Sequence, residues 1–287
     1  MMPLFETEGA RLFYEEAGSG PAIVFAHGGG GDTSQWRHQT PVFAQRYRVI
    51  TFDARGHGRS PAPASDYGMA AFCEDIAALL RHLDVRQAHL VGATLGAVAM
   101  LECALAHPGV ARTLVLISTA PDTTDEMRAR FEASAAVVEA GDLRAFAEGF
   151  VNFLFSPQYV AGHAAEVADF RKRLERIDPA AYARSIRALG HRPDLSPRLK
   201  ALRVPTLIVT GAADPIPTSA PGAALLARSL PSAQTAVIPG AGHLPHIEQP
   251  DRFNRLVLDF FADAERESAP AGCQKGNSLL TPSGAPE

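Results

Sequence analysis

The chain has 287 residues, 46% of them hydrophobic and 20% charged, with a formal net charge of −4. That composition is ample for a large buried core, and neither the small net charge nor any Lys/Arg run suggests a basic face for nucleic acid or a membrane surface. No apolar stretch approaches the ~18 residues of a membrane span, and the scattered Cys73, Cys103 and Cys273 form neither a disulfide framework nor zinc-ligand spacing.

The first elements read as a hairpin. Residues 4–16 alternate apolar and polar around a turn at Glu8-Gly9. Ala22–Ala26 is a continuous apolar run, as expected of a strand buried on both faces, and it ends in His27-Gly28-Gly29-Gly30-Gly31. A helix is predicted from Thr33 or Ser34 to about Ala44, then a strand over 47–53 ending in Asp53. Asp53 leads into Arg55-Gly56-His57-Gly58-Arg59-Ser60 and a Pro-rich loop. A helix over 69–83 places Cys73 in its core, a strand follows at 88–93, and a helix starts after Thr94, with Cys103 also a small core residue. Residues 111–118 form the next buried strand.

From Pro121 to Pro197 the spacing predicts only helices, over 125–139, 142–155, 163–177 and 179–189. The strand-helix rhythm resumes with a strand at 204–210 followed by Asp214. A helix near 220–230 comes next, then a strand at 233–238 followed by Gly242-His243, and a last amphipathic helix over 250–264. Together these predict an α/β architecture. A mostly parallel sheet is covered by helices on both faces, with residues 1–120 and 198–266 as core and 121–197 as an inserted all-helical lid. Residues 267–287, rich in Ser, Pro, Gly and Ala, are expected to be a disordered tail.

In open parallel sheets the ligand crevice lies beyond the carboxyl ends of the strands. Those ends supply a glycine-rich loop, Asp53, Thr94, Asp214 and His243, with His246 and Asp122 close to two of them. Gly92-Ala93-Thr94-Leu95-Gly96 has the frame of a nucleophile turn, Gly-x-Ser-x-Gly, with threonine at the apex. Acyl transfer uses these types: a hydroxyl attacks a carbonyl, an imidazole moves its proton, and a carboxylate fixes the imidazole tautomer. Backbone N–H donors for the developing oxyanion are expected at Leu95 and Gly29, each worth ~3–4 kcal/mol.

These motifs, in order over residues 4–264, resemble the α/β-hydrolase fold family with a helical lid. The His27 loop followed by Trp36 is similar to its esterase and lactonase branch, including 3-oxoadipate enol-lactonase-like proteins. The resemblance implies Thr94, Asp214 and His243 as the catalytic set and leaves His246 as a packing residue and Asp122 as a backup acid or helix cap. It also implies that Arg55, His57 and Ser60 are structural. His27, Gly28, Trp36, Phe150 and Phe153 are the candidate pocket residues.

The expected partner is a small-molecule acyl substrate, with no nucleic acid, membrane, metal or cofactor. A homo-oligomer is compatible with the sequence. Cysteine usage, and an N-terminus without a basic start or apolar run, lead to a cytoplasmic expectation. Lid arginines 171, 173, 176, 184 and 187 are candidates to hold a substrate carboxylate.

Thr94 sets the alternatives. The turn requires positive φ, which is an outlier for a β-branched residue, and the methyl crowds the acyl carbon. A hydrolase on an ester, lactone or thioester is one reading. A lyase, cyclase or isomerase using His243 as base is another, and a ligand-binding protein without turnover is a third. A laboratory change from serine would also give this sequence.

Overall fold

The computed structural model describes residues 4–268 except 8 and 64. The strands are β1 (Leu4–Thr7), β2 (Ala10–Ala17), β3 (Ala22–Ala26), β4 (Arg48–Phe52), β5 (Ala88–Ala93), β6 (Ala111–Ile117), β7 (Thr206–Gly211) and β8 (Ala233–Ile238). Among the described residues they form one eight-stranded sheet of order β1-β2-β4-β3-β5-β6-β7-β8. The β1–β2 and β2–β4 pairs are antiparallel and the rest parallel.

Both faces of the inner parallel strands are buried, whereas the edge strand β8 is largely exposed, and alternate side chains of the inner strands feed separate cores. Val24, Leu90, Leu114 and Leu116 point to one core; Ile23, Phe25, Val91, Val115 and Ile117 point to the other. The helices that cover the faces are α1 (Thr40–Phe43), α2 (Met69–His82) and α3 (Leu95–Ala106). Between β6 and β7 lie α4 (Asp125–Glu139), α5 (Leu143–Leu154), α6 (Pro157–Gly162), α7 (Ala164–Leu174), α8 (Pro179–Gly190) and α9 (Ser196–Leu199). The C-terminal half adds α10 (Ser219–Ser229), α11 (Pro245–Glu248) and α12 (Pro250–Ser268). No described helix is long and apolar enough to cross a membrane.

The inserted helices start where local chemistry tells them to. Thr124, Asp142, Ser156 and Asp178 each accept a hydrogen bond from a first-turn N–H of the helix that follows. Arg187 on α8 is paired with Glu132 and Glu139 on α4, and Phe146 and Phe150 of α5 pack on Tyr182 of α8.

Two predicted boundaries are corrected. The single helix expected from Thr33 to Ala44 is a 3-10 turn, Thr33–Trp36, followed by the separate α1. Pro41 has no N–H to donate back to the Arg37 oxygen, so the helical ladder cannot run through it and restarts with Pro41 in the first turn of α1. At the other end α12 continues through Ser268, past the expected start of the tail at 267. The remainder of that tail, with Cys273, lies outside the described residues.

The turn between β5 and α3 is built on close backbone approach. A Cβ on Gly92 would lie 2.5 Å from the Gly96 oxygen, and one on Gly96 only 2.4 Å from the Ala26 oxygen and 2.5 Å from that of His27. Backbone atoms cannot step aside, so Gly96→Ala is expected to lose about 1–3 kcal/mol of stability. The urea midpoint of the purified variant measures it.

Candidate active site

Thr94 stands between β5 and α3 with φ 50° and ψ −110°, the strained apex that the glycine spacing implied. Such a backbone costs on the order of 1–3 kcal/mol and persists only where its surroundings enforce it. The strain presents the side chain at the carboxyl edge of the sheet, over a cavity of about 110 Å³. Gly28, Gly29, Thr94, Ser219 and His243 line it from the sheet side, and Phe150, Phe153, Leu154 and Ile186 line it from the inserted helices.

His243 follows β8 and Asp214 follows β7, and adjacent parallel strands bring them together. His243 Nδ1 donates to Asp214 Oδ2 at 2.8 Å, and both side chains are almost wholly buried. The other carboxylate oxygen, Oδ1, accepts the Ile216 N–H at 2.9 Å. Ser219 Oγ lies 3.3 Å from the same Nδ1. With Nδ1 carrying the proton, Nε2 is the basic nitrogen.

Among the described residues no hydrogen bond joins Thr94 Oγ1 to His243, whose ring bonds Asp214 and Ser219. The hydroxyl instead faces Gly28, where a Cβ would sit 2.5 Å from it. A side chain at position 28 would therefore collide with Thr94. The Gly28 N–H is already committed, donating to Gln35 Oε1 at 3.0 Å. The N–H groups of Gly29 and Leu95 have no acceptor among the described residues. Gly29 lines the cavity together with Thr94 and His243, and Leu95 directly follows Thr94 at the start of α3.

Two of the expected pocket residues are elsewhere. His27 does not line the cavity: its Nε2 accepts the Ala54 N–H at 2.9 Å and its Nδ1 donates to the Gly28 oxygen at 2.8 Å. Both nitrogens are spent shaping the loop. Trp36 is also absent from the lining, being fully buried on the far core against Phe25 and His246, with ring centroids 4.7 and 4.5 Å away. Gly28, Gly29, Phe150 and Phe153 do line it.

Asp53 accepts N–H groups of Thr33 and Arg59, Arg55 is paired with Asp75, and Ser60 Oγ donates to the Asp53 oxygen. These side chains brace the loop after β4. Asp122 lies on the cavity wall but does not cap α4, as was expected of it if structural; Thr124 does. None of the five arginines singled out in the insertion lines the cavity. Arg192 does, with burial pulling its pKa down to about 10. Its guanidinium donates to the Leu189 and Ala120 oxygens. Ser219 contacts the His243 ring, and Glu248 and Ser156 pack at the preceding Gly242; no motif or spacing marked them beforehand.

His246 is fully buried, and neither of its ring nitrogens has a partner. Burial pushes its pKa down from 6.5 to about 3, and does the same to His89 (about 3) and His57 (about 4). Below pH 6.5 the unfolded chain therefore binds protons that the folded state refuses. This stability is complete above that pH and is lost on acidification toward the folded values, at up to ~1.4 kcal/mol per pH unit per ring. His246→Phe keeps the stack on Trp36 and removes one such group. Urea midpoints between about pH 7.5 and 5 should then fall less steeply than in the parent.

Residues 23–256 match the model of the alpha/beta hydrolase family. The chain is 29% identical over 237 residues to 3-oxoadipate enol-lactonase 2 of Acinetobacter baylyi, covering 83% of this chain and 87% of that one. A hydrolase from Pseudomonas aeruginosa superposes with a TM-score of 0.84 at 32% identity, covering 91% of this chain and 98% of that one. A thermophilic esterase from Thermogutta terrifontis does so at 0.84 and 27%, covering 92% and 97%.

Proposed function

The chain belongs to the alpha/beta hydrolase family, and from that premise we propose that it hydrolyses a compact carboxylic ester, lactone or thioester with Thr94 as nucleophile. His243 is the base, Asp214 its orienting acid, and the N–H groups of Gly29 and Leu95 form the oxyanion hole. The observation that carries this reading is the 2.8 Å His243–Asp214 bond beside a strained hydroxyl and two free backbone donors. An enol-lactonase and an esterase among the similar proteins support the ester class.

In this reading Thr94 turns about Cα–Cβ so that Oγ1 leaves Gly28 and meets Nε2 of His243. Oγ1 attacks the acyl carbon and Nε2 takes its proton. The oxyanion sits between Gly29 and Leu95, at the N-terminus of α3, where the helix dipole adds to the two N–H groups. Collapse expels the alcohol, which receives the proton from His243, and water repeats the sequence to release the acid. The cavity has room for on the order of ten waters, so a short acyl group or small lactone fits within it. The inserted helices act as the lid over it. We place the reaction in the cytoplasm, on the strength of the free, buried Cys73 and Cys103.

One observation favours a second reading. A hydroxyl turned to Gly28 leaves His243 free to act directly on substrate, as in lyase or isomerase chemistry. Incubation with a fluorophosphonate probe and with short p-nitrophenyl esters and lactones separates the two. Turnover and a covalent adduct mapped to Thr94 support the hydrolase. Ester turnover that persists in Thr94→Ala and vanishes in His243→Ala overturns the role of Thr94.

A further inference from the structure

The loop that carries His243 is tied to the inserted helices by backbone. The His243 N–H donates to the Leu154 oxygen at 2.8 Å, at the last residue of α5. The preceding Gly242 N–H donates to Glu248 Oε1 at 2.9 Å. Glu248 Oε2 then accepts both the N–H (3.2 Å) and the hydroxyl (2.6 Å) of Ser156, the residue that caps α6. The approach is so close that a Cβ on Gly242 would lie 2.5 Å from the Ser156 nitrogen and 2.6 Å from Glu248 Oε1. Glu248 is 5% exposed and Ser156 fully buried, so water does not substitute for these bonds.

We propose that Glu248 is a positioning residue that clamps the His243 loop to the α5–α6 junction, so that the base is aligned only when the inserted helices are docked. The proposal rests on His243 being the base. Glu248 touches neither Thr94 nor the cavity; it acts through Gly242. Three donors converge on its two oxygens, and a carboxylate accepts all of them at once. An amide cannot, because its nitrogen would face either Gly242 N–H or the Ser156 pair. Substrate binding is left to other residues, whereas an Nε2 displaced by ~1 Å costs about 100-fold in the chemical step.

The test uses the full chain, a short p-nitrophenyl ester, and the downfield proton signal of the His243 Nδ1–H···Asp214 bond. Glu248→Gln is expected to lower kcat by ~10- to 100-fold with KM within about twofold, and to shift or broaden that signal. Ser156→Ala, which keeps the Gly242 bond, should change both in the same direction by less. A purely structural role would instead lower thermal stability and raise KM, since Leu154 and Leu244 line the cavity, and would leave the proton signal alone. Wild-type kcat and signal in folded Glu248→Gln overturn the proposal, as do wild-type values in Ser156→Ala if Glu248→Gln does not fold. The proton signal needs no turnover. A parent without esterase activity whose signal still moves in Glu248→Gln counts against the proposed function and for the clamp.

Discussion

Thr94→Ala is expected to abolish ester hydrolysis, and Thr94→Ser to raise it. Removing the nucleophile of an optimised triad costs on the order of 10⁶-fold in kcat. A methyl that displaces the hydroxyl by ~1 Å has already cost about 100-fold, so ~10⁴-fold remains to be lost in the alanine variant. The serine variant recovers up to the forfeited ~100-fold, for two reasons visible in the structure. The apex backbone at φ 50° is strained for a β-branched residue, and serine relieves part of that strain. The hydroxyl that now faces Gly28 is also freed to rotate toward His243, because no Cγ2 has to exchange places with it. Steady-state kinetics on one short ester across the three proteins decide the matter. Equal rates in parent and Thr94→Ala would falsify the nucleophile assignment.

Asp214→Asn should reduce kcat by about 10⁴-fold with little change in fold. The size of the effect follows from which atom of the new amide faces His243. The Ile216 N–H donates to Oδ1 at 2.9 Å and will hold the amide oxygen in that place. The amide nitrogen then takes the position of Oδ2, 2.8 Å from His243 Nδ1. Two donors cannot share that contact, so the ring proton moves to Nε2, and the nitrogen that should accept from Thr94 is blocked. Ser219 Oγ, 3.3 Å from Nδ1, offers a weaker substitute acceptor. The double variant Asp214→Asn/Ser219→Ala should therefore fall further than the single one. A circular dichroism spectrum like that of the parent, with residual kcat near 10% or more in the single variant, would remove Asp214 from the mechanism.

The sequence by itself determined the architecture and the residues at its carboxyl edge. Short apolar runs such as Ala22–Ala26, bounded by glycine and proline turns, read as strands covered on both faces, and this one is. The hydroxyl between Gly92 and Gly96, following an apolar run and preceding a helical pattern, reads as a tight strand-helix turn, and the structure supplies the reason for its glycines, since no Cβ fits at either. Thr94, Asp214 and His243 were legible for that reason: each stands just past a strand, and parallel strands place such ends along one edge. Caps such as Asp142 and Asp178 were local chemistry too.

Tertiary structure alone decided what depends on distance between segments far apart in the chain. His27 and Trp36 sit beside the glycine loop in sequence, yet one is consumed by the Ala54 N–H and the other is driven into the far core. Arg192, rather than any arginine on the inserted helices' regular faces, reaches the cavity. The helix phase of those elements is set by packing that periodicity does not encode. The direction of the Thr94 hydroxyl is likewise a rotamer chosen by neighbours, Gly28 among them. The Glu248–Ser156–Gly242 clamp spans residues 156 to 248. Hydrogen bonds of that separation leave no period, spacing or composition in the sequence, because they depend only on where the folded backbone brings two ends together.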